Sequence, residues 1–274
     1  MNNMDPRRYY DAFGEEEWER LTANPVARLE FENTTRYLAE RLPENGPVLD
    51  AGGGPGRYAI WLAERGHEVA HLDPSREQVR IAREKANERG VDRRVRFQQG
   101  DVRALPFGAG RFAAVCCLGG PLSHVLDPGE RKRALRELRR VAREDASVFV
   151  SVMGRLAALR FAIKHASDHH GLLEPLAETG DYTQELVERH ADGEGWAEMH
   201  AFRVEELEGE LEAAGLTVET LVGLEGVASA MQPALAELPE DGDALTDVHA
   251  VVSSLREDRA VVDASEHILT VCRA

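Results

Sequence analysis

Nine residues constrain this chain more than any others: Val48-Leu49-Asp50-Ala51-Gly52-Gly53-Gly54-Pro55-Gly56. A short apolar run ends in an acid and gives way to glycines at 52, 54 and 56. A parallel strand breaks in this way into a loop that feeds a helix. Glycine is needed where the backbone turns tightly or where a ligand approaches closer than a Cβ allows. Such a loop predicts an α/β chain with its ligand at the carboxyl ends of the strands.

The segments that follow keep the strand–helix alternation. Residues 58–62 predict a helix stopped by Gly66, and residues 68–73 a second strand ending in an acid. Ser75 with Gln78 forms a capping box for a helix running to Gly90. Residues 95–97 predict a third strand, ending at Gly100-Asp101. The apolar run 112–118 predicts a fourth, suited to burial on both faces. Asp127-Pro128-Gly129-Glu130 opens another helix, with an apolar stripe at Ala134, Leu135, Leu138 and Val141. Strands at 147–152, 216–221 and 268–272, and a late helix ending at Gly215, complete the pattern. Three parts fall outside it. Residues 1–46 predict two helices, the second opened by Asn24-Pro25. Residues 154–200 are rich in histidine and charge, and residues 223–262 are acidic, with a turn at Pro239-Glu240-Asp241-Gly242-Asp243. The expected organisation is an amino-terminal helical lid, 1–46, and one domain, 47–274, with insertions at about 154–200 and 223–262.

Charge and cysteine content narrow the partners. The 274 residues carry a formal charge of −16, and only three of the 33 basic residues are lysine. An acidic surface repels phosphate backbones, so a nucleic-acid partner is disfavoured. Three cysteines, with Cys116 and Cys117 adjacent, make neither a disulfide framework nor a metal-ligand spacing. His165 and His169 are four apart but lack the glutamate of a metalloprotease helix, so no metal is expected. Residues 146–166 are interrupted by Arg155, Arg160 and Lys164, which argues against a membrane span, and residues 1–8 lack a charged-then-apolar signal. A cytoplasmic enzyme is the expectation.

Two ligands compete for the glycine loop. Gly54-x-Gly56-x-x-Ala59, with Asp73 as a ribose acid, reads as a dinucleotide fingerprint and so as an NAD(P)-dependent oxidoreductase. Asp50-x-Gly52-x-Gly54-x-Gly56 reads as a loop for S-adenosylmethionine. A pyrophosphate against this loop meets an unfavourable carboxylate at Asp50, whereas an ammonium and a sulfonium are attracted by it. Residues 48–152 resemble the class I S-adenosylmethionine-dependent methyltransferases, most closely the small-molecule branch typified by the quinone-biosynthesis C-methyltransferases. The resemblance rests on the 48–56 loop, on Asp73, on Gly100-Asp101-Val102 followed by Leu105-Pro106-Phe107, and on Leu118. It implies that Asp50, Gly52, Gly54 and Gly56 shape the methionine end of a cofactor site. It further implies that Asp73 grips the ribose hydroxyls, that Asp101 and Val102 read adenine, and that Leu118 lines the methyl-transfer position. It also implies a Rossmann-like, doubly wound, seven-stranded, mostly parallel sheet of order 3-2-1-4-5-7-6 with its last strand antiparallel. Residues 1–46 and 154–200 then fall where such enzymes build substrate lids. A non-catalytic S-adenosylmethionine-binding protein is a third possibility.

Methyl transfer is an in-line displacement in which alignment and desolvation carry much of the rate, so a catalytic side chain is not obligatory. The fourth strand ends Leu118-Gly119-Gly120-Pro121 rather than Asn-Pro-Pro-Tyr, which argues against an exocyclic-amine nucleic-acid methyltransferase. Cys117, on an apolar strand, reads as core. His124, just beyond the fourth strand, is the candidate general base. Tyr9, Tyr10, Phe13 and Trp18 form an aromatic segment able to fold over a cofactor, and Arg20 or Arg28 could meet its carboxylate.

Overall fold

The computed structural model describes residues 4–190, 195–239 and 242–274. Three helices come first: α1 (Pro6–Phe13), α2 (Glu16–Arg20) and α3 (Pro25–Arg41). Then follow β1 (Val48–Ala51), α4 (Arg57–Glu64), β2 (Val69–Asp73), α5 (Arg76–Glu88), β3 (Val95–Gln99), β4 (Phe112–Cys117), α6 (Pro128–Val141) and β5 (Ala142–Met153). The next stretch holds α7 (Arg155–Lys164), α8 (Ala166–His169), α9 (Leu173–Thr179), β6 (Asp181–Tyr182), α10 (Gln184–His190) and β7 (Met199–His200). The chain continues with α11 (Val204–Ala213), β8 (Thr217–Gly223), α12 (Gln232–Ala236), α13 (Asp243–Leu255), α14 (Arg259–Ala264) and β9 (His267–Arg273).

Seven strands form one sheet in the order β3-β2-β1-β4-β5-β9-β8, and β6 and β7 form a separate two-stranded sheet among the described residues. With that small pair set aside, the order is the expected 3-2-1-4-5-7-6. β9 runs antiparallel to both of its neighbours. Every residue of β1, β2 and β4 is buried, as befits strands covered on both faces. β4 shows the two-sided packing. Val115 and Cys117 join a core with Leu135 and Leu138 of α6, and Ala114 and Cys116 join another with Leu62 of α4 and Leu38 of α3. Burial pushes the Cys117 thiol up to about 12, so it is core and not a nucleophile. β3, at the edge, exposes Arg96, Gln98 and Gln99 in part, which protects an open strand from pairing. Strand order reverses between β1 and β4, and a crevice opens there at their carboxyl ends.

The amino-terminal region differs from expectation by one helix. Gly14, at a φ of 59°, breaks α1 from α2, and Asn24 then caps α3 by accepting from the Ala27 amide at 3.0 Å. The Ser75 capping box is half formed. Its Oγ accepts from the Gln78 amide at 3.0 Å, but the Gln78 side chain donates instead to the carbonyls of Tyr10 and Gly14. The sequence between β5 and α11 builds its own small core from Ala162, Leu172, Leu176, Tyr182 and Val187, which Met4 joins. Ala228, Leu235 and Val252 pack against Val26 and Leu29 of α3. Glu240 and Asp241 of the expected acidic turn, and the His169 side chain, lie outside the described residues. Among the described residues no helix is long and apolar enough to cross a membrane.

Candidate active site

The loop between β1 and α4 adopts its shape because its glycines permit it. Gly52, Gly54 and Gly56 have φ values of 73°, 52° and 84°, in the left-handed region that a Cβ penalises. The amides of Gly52 and Gly53 donate to the Leu72 carbonyl at 2.7 and 3.2 Å, which ties the loop to β2. Asp73, ending β2, locks the turn from the other side. Its Oδ2 accepts from the Gly54 amide and its Oδ1 from the Ser75 amide, both at 2.8 Å. Burial raises the Asp73 carboxyl to about 6, although those two amides pull it down. A buried carboxylate with unused lone pairs, on the wall of a cleft, suits two hydroxyl donors.

Asp50 and Gly56 do not line that cleft, contrary to expectation. Asp50 is fully buried beneath the loop, where its Oδ2 accepts from the His71 Nδ1–H at 3.1 Å. Gly53, the glycine that the alternating pattern skips, makes this possible: a Cβ there would lie 2.1 Å from Asp50 Oδ2. Oδ1 of Asp50 finds no hydrogen-bond partner among the described residues. Gly56 caps α4 against α5, with a Cβ position 2.9 Å from Ala82 Cβ. A Cβ on Gly54, by contrast, would meet nothing within 4 Å and would project into open space beside the cleft.

The cleft has a volume of about 790 Å³ and contains the other seven expected residues: Gly52, Gly54, Asp73, Asp101, Val102, Leu118 and His124. Asp101 is half-exposed. Arg103 grips it through Nε at 2.9 Å and Nη2 at 2.5 Å, and although burial acts against it, this pairing holds the carboxyl below its ordinary range. Leu118 is buried at the end of β4, and the next residue anchors the turn through the Gly119 amide to Ser151 Oγ, 2.8 Å.

The aromatic segment closes the cleft from above. The Asp11 carboxylate accepts from Ser75 Oγ at 2.6 Å and from the Glu77 amide at 3.3 Å, pinning α1 to the start of α5. Tyr10 lines the cleft and lies 3.0 Å from His124 Nε2, while His124 Nδ1 lies 2.8 Å from the Glu198 carbonyl. Burial lowers the His124 imidazole below its ordinary range, against a smaller upward pull from that carbonyl. The Glu198 amide in turn donates to the Met4 carbonyl at 2.8 Å, so the amino terminus and the segment after β5 meet over the site. Trp18 lies beneath Arg57, whose guanidinium stacks 4.0 Å from the ring.

Arg20 also lines the cleft, and its Nη2 is 3.4 Å from where a Cβ on Gly119 would sit. Its fork is held by Glu30, at 2.6 and 3.2 Å, and by Glu17 at 2.8 Å. Glu30 is buried and also lies 3.5 Å from His267 Nδ1, which itself donates to Glu225 at 2.6 Å. Arg20, His267, Glu30 and Glu225 thus form a quartet joining α2, α3 and β9, in which the two glutamates are buried and Glu17 flanks Arg20. Burial alone would depress His267, but Glu30 and Glu225 raise it to about 9. The unfolded value is about 6.5. Its stabilisation is therefore complete below about pH 6.5 and lost as pH rises through about 9. The thermal midpoint is expected to fall over that window and His267→Gln to flatten the fall; parallel pH profiles for the two proteins would contradict the assignment.

Sequence reading did not find the quartet, the Tyr10–His124 pair or the Arg103–Asp101 fork. The first two join residues more than a hundred positions apart, and no local spacing announces them. A glutamate inside the helical run 25–41 was the one available hint.

A loop, an acid ending β2 and a second acid after β3 are set around the crevice of a sheet with the Rossmann-like methyltransferase fold. Residues 48–145 match the methyltransferase domain family. Among curated proteins, the chain is similar to methyltransferase GfsG of Streptomyces halstedii, 31% identical over 140 residues, 50% of this chain and 46% of the relative. It is also similar to the tRNA 5-carboxymethoxyuridine methyltransferase of Escherichia coli, 42% identical over 67 residues, 24% of this chain and 26% of the relative. The chain thus spans less than half the length of either relative. A solved S-adenosylmethionine-dependent methyltransferase from Methanosarcina mazei shares the fold, with 19% identity, 86% of this chain and 96% of that one covered, and a TM-score of 0.61.

Proposed function

We propose that this chain transfers the methyl group of S-adenosylmethionine to a small-molecule acceptor in the cytoplasm. The observation that carries the reading is the Asp73 carboxylate, buried at the end of β2, bonded to the Gly54 amide and facing the cleft. The bound cofactor supplies an electrophilic methyl group. The chain supplies its binding and alignment: Asp73 for the ribose hydroxyls, Asp101 with Val102 for adenine, and Gly52, Gly54 and Leu118 for the methionine portion. Arg20, at the same wall, suits the methionine carboxylate. Asp50 and Gly56 act indirectly, by shaping the loop from beneath. The amino-terminal helices and the segment 154–200 serve as lids that exclude water from the displacement.

The acceptor's size class follows from the site and the charge. A cleft of about 790 Å³ is in the range of small-ligand sites. A formal charge of −16 opposes a polyphosphate partner. The likeness to the tRNA enzyme covers 67 residues, 24% of this chain. The likeness to the quinone-biosynthesis branch concerns residues 48–152 and supports a small acceptor, leaving the methylated atom open. The three cysteines, unpaired and buried, suit a reducing compartment. Titration calorimetry tests the cofactor: S-adenosylhomocysteine is expected to bind one to one and NADH not at all, and the reverse would restore the oxidoreductase reading. A protein that binds the cofactor yet labels nothing in a cell extract would be a non-catalytic binder.

A further inference from the structure

We infer that the acceptor's nucleophile is an oxygen or nitrogen atom that arrives carrying its proton, and that the Tyr10 hydroxyl relays this proton to His124. The inference rests on the methyltransferase reading above. The Glu198 carbonyl can only accept, so the imidazole hydrogen sits on Nδ1, 2.8 Å away, and Nε2 keeps a free lone pair. Tyr10 must then donate to Nε2, across 3.0 Å, with the two rings meeting edge to face at 5.3 Å. A phenol oxygen that has given up its one hydrogen still has lone pairs, and both side chains line the cleft. What the pair presents to an acceptor is therefore a hydrogen-bond acceptor. It fits an O–H or N–H group and offers nothing to a carbanion or a thiolate.

The surrounding charges fit a relay rather than a resident tyrosinate. Burial raises the Tyr10 phenol well above its ordinary range; Glu17, Tyr9 and Asp73 add to the rise and Arg20 opposes it. His124, held neutral by burial, is the group that ends with the charge. As the bond from the acceptor atom to the methyl carbon forms and the S–CH3 bond breaks, its electron pair stays on sulfur. The acceptor's proton moves to the Tyr10 oxygen, and the Tyr10 proton moves to Nε2. The positive charge lost at sulfur reappears on the imidazolium, which later returns its proton to solvent.

The test has two arms, both on the full chain. In the first, 15N NMR of histidine-labelled protein at neutral pH is expected to show His124 protonated on Nδ1 alone, with an Nε2 signal that moves in Tyr10→Phe. A His124 protonated on Nε2, or on both nitrogens, would overturn the relay without any variant. In the second, a cell extract is incubated with methyl-13C S-adenosylmethionine, and the labelled product is expected to carry the methyl group on oxygen or nitrogen. Tyr10→Phe should lower turnover by about 100-fold and His124→Asn by at least as much, within the usual range for lost proton transfer. S-adenosylhomocysteine affinity should stay within about twofold. His124→Asn should also abolish the rise of turnover with pH through the imidazole titration. Label on carbon or sulfur overturns the relay, and so does turnover in Tyr10→Phe equal to or above that of the parent. No label at all, with S-adenosylhomocysteine still bound, overturns the methyltransferase reading itself.

Discussion

Asp73→Asn is expected to weaken S-adenosylhomocysteine binding by on the order of 100-fold, about 3 kcal/mol, from two charge-assisted hydrogen bonds to ribose hydroxyls. The asparagine keeps the shape but not the acceptor set. Its amide nitrogen has to oppose either the Gly54 or the Ser75 amide, both of which donate to the carboxylate at 2.8 Å. The empty protein should lose far less stability, because the cost of burying the charge disappears with it. That cost is visible in the raised carboxyl, at about 6. A carboxyl raised on folding favours the folded state below its unfolded value and loses that contribution as pH rises through about 6. The charged form accepts the hydroxyls, so affinity should also decline as pH falls below about 6. Calorimetry at several pH values reads both effects, and unchanged affinity in Asp73→Asn would remove Asp73 from the site.

Glu30→Gln is expected to cost about 2–3 kcal/mol, from the charge-assisted hydrogen bonds that the buried Glu30 carboxylate accepts from Arg20. The glutamine would leave Arg20 and His267, both partly buried, with one carboxylate each, Glu17 and Glu225. For a chain of this size the thermal midpoint should fall by about 10 °C. The comparison is Glu40→Gln, which breaks a half-exposed pair with Arg36 on the outer face of the same helix. Surface pairs contribute about 0–1 kcal/mol, so that midpoint should barely move. Equal melting of the two variants would show that the quartet contributes no more than a surface pair.

Much of the sheet was legible in the sequence because its determinants are local. Strands buried on both faces read as apolar runs, as at residues 112–118, and helix ends announce themselves through Asn24, Ser75, Asp127 and Gly66. The loop was legible for the same reason: three left-handed positions demand three glycines. The placement of Asp50 was not. Whether a carboxylate faces a ligand or a neighbouring strand depends on the register of β1 against β2, which pairs Asp50 with His71. Gly53 was passed over because it lies outside the alternation, though its missing side chain makes room for that carboxylate. The segments that meet over the cleft were least legible. Tyr10, His124 and Glu198 come from three separate segments, and nothing in the spacing of any one of them specifies the others.

The position of β9 has a consequence for how the molecule is made. β8 leaves the ribosome about 45 residues before the strand that must lie between it and β5. Until β9 arrives, β5 and β8 each present an unpaired edge, and a nascent chain with open edges is prone to wrong pairing. The sheet therefore cannot close in step with synthesis. The β5–β9–β8 side of the sheet sets in one late event, and His267, the first residue of β9, completes the quartet in that same event.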